Sequence, residues 1–251
     1  MLGSIIGDIV GSRFEFHNLK GKDFELFTRD CSFTDDTICT VAVADAILHG
    51  SDDYGHYIHE WCRRYPHPMG GYGGSFAKWV ASDDPAPYGS WGNGAAMRVA
   101  PVGFAFKHPD VLREACKSAK CSHDDPEGII GAMAVADAIR TILESGDSVK
   151  DNLEQLRHRY YGDNRGAAPG VFDETCQGCV PVALRIIIEA TSFEDAIRRT
   201  MIYGGDSDTL GAIVGGMAEA LFGVPDAFLP DAFAYLPDEM TEVVGRFYSR
   251  L

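Results

Sequence analysis

FTDDTICTVAVADAILHG, residues 33–50, is the stretch from which the rest of the chain can be read. Its Ala, Val, Ile and Leu residues recur at helical spacing and the run stops at Gly50, so it predicts a helix. Thr34 fits the N-cap, which places Asp35 and Asp36 in the first turn. Carboxylates there interact well with the helix dipole, by roughly 0.3–1 kcal/mol each. The dipole explains acidic residues at this end. It does not explain two adjacent ones, crowded by apolar residues, that repel each other with little local positive charge to offset them.

The same pattern returns along the chain. Residues 125–146 (DPEGIIGAMAVADAIRTILESG) predict a helix with Pro126 near its start and Gly146 at its end. VPVALRIIIEATS (180–192), SFEDAIRRTMIYG (192–204, Ser192 as N-cap), SDTLGAIVGGMAEALFG (207–223) and LPDEMTEVVGRFYSRL (236–251) continue the series. Several of these are apolar on most faces, which predicts central burial. Runs of alternating β-branched residues are nearly absent. The longest polar interval, 148–174, is not linker-like enough to divide the chain, and there is no internal repeat or low-complexity segment. The expectation is one all-α domain over residues 1–251. The 28 glycines are many for such a fold. Gly inside a helix costs roughly 1 kcal/mol against Ala, so many of them are expected where helices touch closely or backbone meets a ligand.

With 251 residues, 45% of them hydrophobic, the chain can bury a substantial core. Its net charge is −15 and its pI about 4.8, which argues against a nucleic-acid or anionic-membrane surface. A phosphate-bearing ligand would need metal ions, helix ends or glycine amides instead of bulk positive charge. No basic segment leading into an apolar one opens the sequence, and no apolar run approaches the ~20 residues of a membrane span. Seven cysteines, an odd number, fit reduced thiols in a cytoplasmic protein. CQGC (176–179) lacks a second ligand pair, and structural thiols are the first reading of it, ahead of a metal or redox site.

A second acidic cluster changes the meaning of the first. YGGDSDTLGAIVGG (203–216) sets Asp206, Asp208 and Thr209 at another helix start. If the two helix starts meet, four carboxylates and two or three hydroxyls converge. That is an all-oxygen site for hard divalent cations, not a Cys/His zinc site. Four carboxylates do not stay ionised together without about two cations, so the expectation is a binuclear centre.

In their order, these motifs resemble the ADP-ribosylglycohydrolase family, which includes the dinitrogenase-reductase-activating glycohydrolases. The resemblance covers almost the whole chain: GSIIGDIVGSRFEF (3–16), FTDDT (33–37), GGYGGSF (70–76), SWGNGAAMRVAPVG (90–103), SHDDPEGIIGAMAVADAI (122–139), FDETCQGCVPVAL (172–184) and GGDSDTLGAIVGGMAEALFG (204–223). It implies an orthogonal all-α bundle with two Mg²⁺ or Mn²⁺ ions, hydrolysing the bond between ADP-ribose and an acceptor. By position it implies Thr34, Asp35, Asp36, Asp206, Asp208 and Thr209 as metal ligands. Glu15 takes the place of the family's flexible acidic residue near the scissile bond, and Glu15, Asp35 and Asp36 are the expected catalytic set. Trp91 stands where the family commonly has Tyr, which leaves the backbone role intact and alters the pocket wall.

The remaining candidates fit ADP-ribose on physical grounds. Gly71, Tyr72, Gly73, Gly74 and Ser75 offer backbone amides to a pyrophosphate, or else form a tight loop before the FAKWV helix. Ser90, Trp91, Gly92, Asn93, Gly94 and Met97 mark an anion or ribose contact before a helix, or else an Asn-Gly turn. His123 reads equally as a structural residue and as a ribose or phosphate neighbour. Asp8 either orients the Glu15 segment or lies on a helix surface. Phe14, Phe16, Phe33 and Tyr72 are candidates for the pocket wall, with core burial the default for each. The expected partner is an ADP-ribosylated protein or small adduct, handled by a monomer; nucleic acid enters only as an ADP-ribosylated substrate. Two other readings compete. Prenyl-diphosphate chemistry would need a further Asp that TDDTICT lacks. A non-catalytic ADP-ribose-binding or crystallin-like relative would be expected to lose ligands, and all six positions here hold oxygen donors.

Overall fold

The computed structural model describes residues 1–251. Fourteen α-helices carry the fold: α1 (Leu2–Gly11), α2 (Asp35–Leu48), α3 (Tyr54–Arg64), α4 (Gly74–Ala81), α5 (Gly94–Met97), α6 (Ala100–Ala105), α7 (Asp110–Lys120), α8 (Pro126–Ser145), α9 (Val149–Tyr161), α10 (Cys176–Glu189), α11 (Phe193–Tyr203), α12 (Ser207–Phe222), α13 (Leu229–Ala234) and α14 (Asp238–Arg250). No strand forms; an isolated antiparallel bridge pairs Gly92 with Thr175. The all-α expectation holds. No helix is long and apolar enough to cross a membrane, and all seven cysteines are free.

The local signals act as read. Thr34 caps α2 by accepting a hydrogen bond from Asp36 N. Asp125 caps α8 ahead of Pro126, and Ser192 caps α11. Two features differ from expectation. The polar interval 148–174 contains α9, whose Leu153 and Leu156 alone are buried, so its thin apolar stripe escaped a reading based on apolar content. The helix expected from Val180 begins four residues earlier, at Cys176, with Thr175 as its N-cap and Pro181 inside it.

One helix pair positions the site. α1 and α12 run antiparallel with glycine against glycine: side chains on Gly3 or Gly7 would collide with the Gly215 or Gly211 carbonyl, and one on Gly11 with Ser207 and Asp208 backbone. Glycine every four residues forms one helix face, and without β-carbons the two backbones approach directly. The C-terminal end of α1 is thereby fixed beside the N-terminus of α12. Both helices are buried almost throughout, inside one contiguous cluster of 67 buried apolar residues.

Candidate active site

Asp8 lies on α1 one turn before Gly11, fully buried. Its carboxylate gathers the start of α2. Thr34 donates its N–H (3.0 Å) and hydroxyl (2.7 Å), and Thr37 its N–H (3.1 Å) and its hydroxyl. Asp8 is therefore neither a helix-surface residue nor a support for the Glu15 segment alone: it ties α1 to α2. Its pKa is nonetheless pushed up to about 6, because burial outweighs these four bonds.

The two acidic helix starts meet as expected. Carboxylate oxygens of Asp8, Asp36 and Asp208 lie within 4.8 Å of one another, all buried. Thr209, in the first turn of α12, donates its hydroxyl to Asp36 Oδ2 at 3.4 Å. Asp206 accepts from Asn93 Nδ2 at 2.6 Å. Asp36 Oδ1 is buried with no hydrogen-bond partner. Burial, then the neighbouring carboxylates, push Asp35, Asp36 and Asp208 well above the usual carboxylate range. Asp206 is raised too, by burial against the hydrogen bonds it receives.

A cleft of about 850 Å³ opens over this cluster. Of the residues expected at the site, it is lined by Glu15, Asp35, Asp36, the 71–75 segment, the 90–94 segment, Met97, His123, Asp206, Asp208 and Thr209. Thr34 does not line it. It sits behind, fully buried, with its hydroxyl given to Asp8 and Asp36 Oδ2 3.2 Å away. Of the aromatic candidates, Phe16 and Tyr72 line the cleft. Phe14 instead packs edge-on against Phe24, and Phe33 edge-on against Tyr65. Seven of the 28 lining residues are hydrophobic, so the cleft suits a polar ligand.

Glu15 is half-buried, on the segment leaving α1. Burial and then Asp206 and Asp8 push its pKa up to about 7. Asn93 is more than an Asn-Gly turn: its N–H bonds Glu174 O at 2.8 Å while its side chain holds Asp206. The 71–75 segment runs into the N-terminus of α4, where amide donors are free of intrahelical partners. Tyr72 anchors that segment through its hydroxyl, donated to Tyr65 O at 2.7 Å. CQGC is structural here: Cys176 and Cys179 are buried and Cys176 donates to Gly92 O.

The residue that sequence reading placed outside this group is Asp8. Its one signal is a charged residue in an otherwise apolar and small-residue helix, IIGDIVG, where a buried carboxylate requires partners from elsewhere.

The oxygen-only donor set fits a hard divalent cation, and the partnerless Asp36 Oδ1 among raised carboxylates is what such a cation would satisfy.

Comparison with known proteins agrees with the geometry. The family model described as ADP-ribosylglycohydrolase matches residues 1–250. The ADP-ribosylhydrolase ARH3 of Xenopus tropicalis is 28% identical over 187 residues, 62% of this chain and 53% of that protein, so this match spans about half of the relative. The mouse (Mus musculus) ADP-ribosylhydrolase ARH3 is 25% identical, with 100% of this chain and 90% of that protein covered. A solved structure titled ADP-ribosylglycohydrolase-related protein complex superposes with a TM-score of 0.76 over 99% of this chain and 95% of that one. At 24% identity that likeness establishes the fold.

Proposed function

This chain belongs to the ADP-ribosylglycohydrolase family, and on that premise we propose that it is a divalent-cation-dependent hydrolase cleaving the bond between ADP-ribose and an acceptor. The observation that carries the metal dependence is Asp36 Oδ1, buried and partnerless where three carboxylates meet under the cleft. Asp35, Asp36, Asp206, Asp208 and Thr209 would hold two Mg²⁺ or Mn²⁺ ions, with Thr34 and Asp8 fixing the start of α2 behind them. Bound there, the cations would supply charge to orient the ribose hydroxyls and polarise a water.

The chain's own residues do the rest. The amides of the 72–75 segment, at the start of α4, bind the pyrophosphate. Asn93 keeps Asp206 turned toward the ribose. As the acceptor leaves, positive charge grows on the anomeric carbon, as in other glycoside cleavage, and the surrounding carboxylates stabilise it. Glu15 sits at the cleft with a pKa near 7, suited to take the proton of the attacking water near neutral pH. The acceptor's own proton requirement differs between nitrogen and oxygen linkages, and the partner is an ADP-ribosylated protein or small adduct bound by a monomer.

The test is release of free ADP-ribose from arginine-, serine- and acetyl-linked substrates, each with Mg²⁺, Mn²⁺ or EDTA. The Asp35→Ala/Asp36→Ala variant is the control. The expected outcome is metal-dependent release from at least one linkage, lost in the variant. Metal-dependent binding of ADP-ribose with no release from any linkage overturns the enzyme reading in favour of a binding protein.

A further inference from the structure

Arg98 ends α5 and is fully buried beneath the cleft. No carboxylate pairs with it. Its Nη2 donates to Ser118 O (2.8 Å) and Ser122 Oγ (2.9 Å), while Nε and Nη1 have no partner. Ser118 lies in the last turn of α7, so the guanidinium rests at the negative end of that helix. A buried cation without a counter-ion is costly, and the helix end compensates only part of it. Its retention calls for a role.

Proton accounting supplies one. Arginine has donors and no acceptor, so in the Arg98 contact Ser122 Oγ accepts. The Ser122 hydroxyl proton is then free for its other neighbour, His123 Nδ1, 2.8 Å away. A nitrogen that accepts this proton carries none of its own, so the imidazole proton sits on Nε2. Nε2 has no partner in the protein. It lies 2.8 Å from where a β-carbon on Gly94 would be and 3.6 Å from the same point on Gly92, so these glycines leave its approach to the cleft open.

We propose that Arg98 and Ser122 are positioning residues that lock His123 as the neutral Nε2–H tautomer, a fixed donor for an acceptor oxygen of the bound ADP-ribose. This rests on the ligand reading of the preceding section. Burial, and then the Arg98 charge, hold His123 well below its ordinary pKa, which is consistent with a ring that stays neutral. The arrangement gives the cleft a donor whose direction does not change with pH near neutrality. A charged imidazolium would lose its bond from Ser122, because both ring nitrogens would then be donors.

The test has two arms, both on the whole chain. The first reads the ¹⁵N shifts of the histidine rings without ligand, with His123 assigned by its loss in His123→Gln. The expected signature is an unprotonated Nδ1 and a protonated Nε2, giving way to a tautomer mixture in Ser122→Ala. The second measures ADP-ribose affinity by calorimetry with Mg²⁺ present, and KM and kcat on the best substrate. Ser122→Ala is expected to weaken binding about tenfold and raise KM similarly, with kcat nearly unchanged. Arg98→Lys, which keeps a cationic donor, retains more affinity than Arg98→Met. Thermal melting shows which variants fold, and Ser122→Ala, a small truncation, carries the test if the Arg98 variants do not. A proton on Nδ1 in the unsubstituted protein, or unchanged tautomer and affinity in folded Ser122→Ala, overturns the proposal. Failure of the unsubstituted chain to bind ADP-ribose at all would sink the ligand reading and the donor role with it, while the ring shifts still decide whether the lock exists.

Discussion

Two places in this molecule bury charge without an opposite charge, and they do so differently. Under the cleft, Asp8, Asp36 and Asp208 crowd together with no basic side chain paired to them. Arg98 is likewise enclosed with no carboxylate paired to it. The arginine is partly compensated from within, by a helix C-terminus, a carbonyl and a hydroxyl. The carboxylates also receive hydrogen bonds, Asp8 four and Asp36 from Thr34 and Thr209, yet they crowd one another: Asp36 Oδ1 has no partner, and burial, then neighbouring carboxylates, raise Asp35, Asp36 and Asp208. A single charge set at a helix end is a fixture, even with Nε and Nη1 unpartnered. Like charges crowded together under a cleft are a place for an opposite charge that arrives. That contrast makes the carboxylate cluster the metal-binding candidate and the arginine a rigid support.

The largest effect that would break this comparison comes from Asp36→Ala. We expect turnover to fall by roughly a thousandfold or more, a loss on the scale of removing a central group that acts in the transition state. The melting temperature of the metal-free chain should change little, because a crowded, buried carboxyl with an unpartnered oxygen has been removed. A large loss of metal-free stability would mean that Asp36 is as fully satisfied as a structural residue.

Next comes Glu15→Gln. Here kcat should drop on the order of a hundredfold while KM stays within a few-fold, the pattern of a lost proton acceptor. A rise in KM with unchanged kcat would instead make Glu15 a binding residue.

The smallest effect is thermodynamic and sharpens the comparison most directly. Carboxylates raised by burial hold protons in the folded chain that the unfolded chain has released, so stability falls as pH rises between the two pKa values. For Asp8 that window runs from about 4 to about 6. The metal-free chain should therefore lose stability over it, on the order of 3 kcal/mol from Asp8 alone. Melting curves from pH 4 to 7, with and without saturating Mg²⁺, measure this. Mg²⁺ should flatten the slope, since it takes the place of the protons. Equal slopes would count against a cation at this cluster.

Much of the fold was legible because it was written locally. Thr34, Asp125 and Ser192 each cap a helix within three residues of themselves, and Asp206 and Asp208 open α12 where their motif placed them. The reading weakened where a side chain's partner is distant in sequence. Thr34 stood among the metal ligands that the resemblance implies, and its hydroxyl turns to Asp8, 26 residues away. Core burial was the default for Phe14 and Phe33, but only the structure chose it over the pocket wall, by their ring partners Phe24 and Tyr65.

The sequence by itself determined an all-helical chain, where several of its helices start and stop, and that two of those starts are acidic. Propensity, capping and periodicity act over about one turn, so a linear reading reaches them. The tertiary structure alone decided that glycine faces bring α1 against α12, that Asp8 joins the acidic pair, and that Asn93 reaches Asp206 across 113 residues. It also decided that Arg98, Ser122 and His123 stand in line. Those contacts depend on which helix faces close on one another, and that is fixed by the burial of the whole core and not by any one segment.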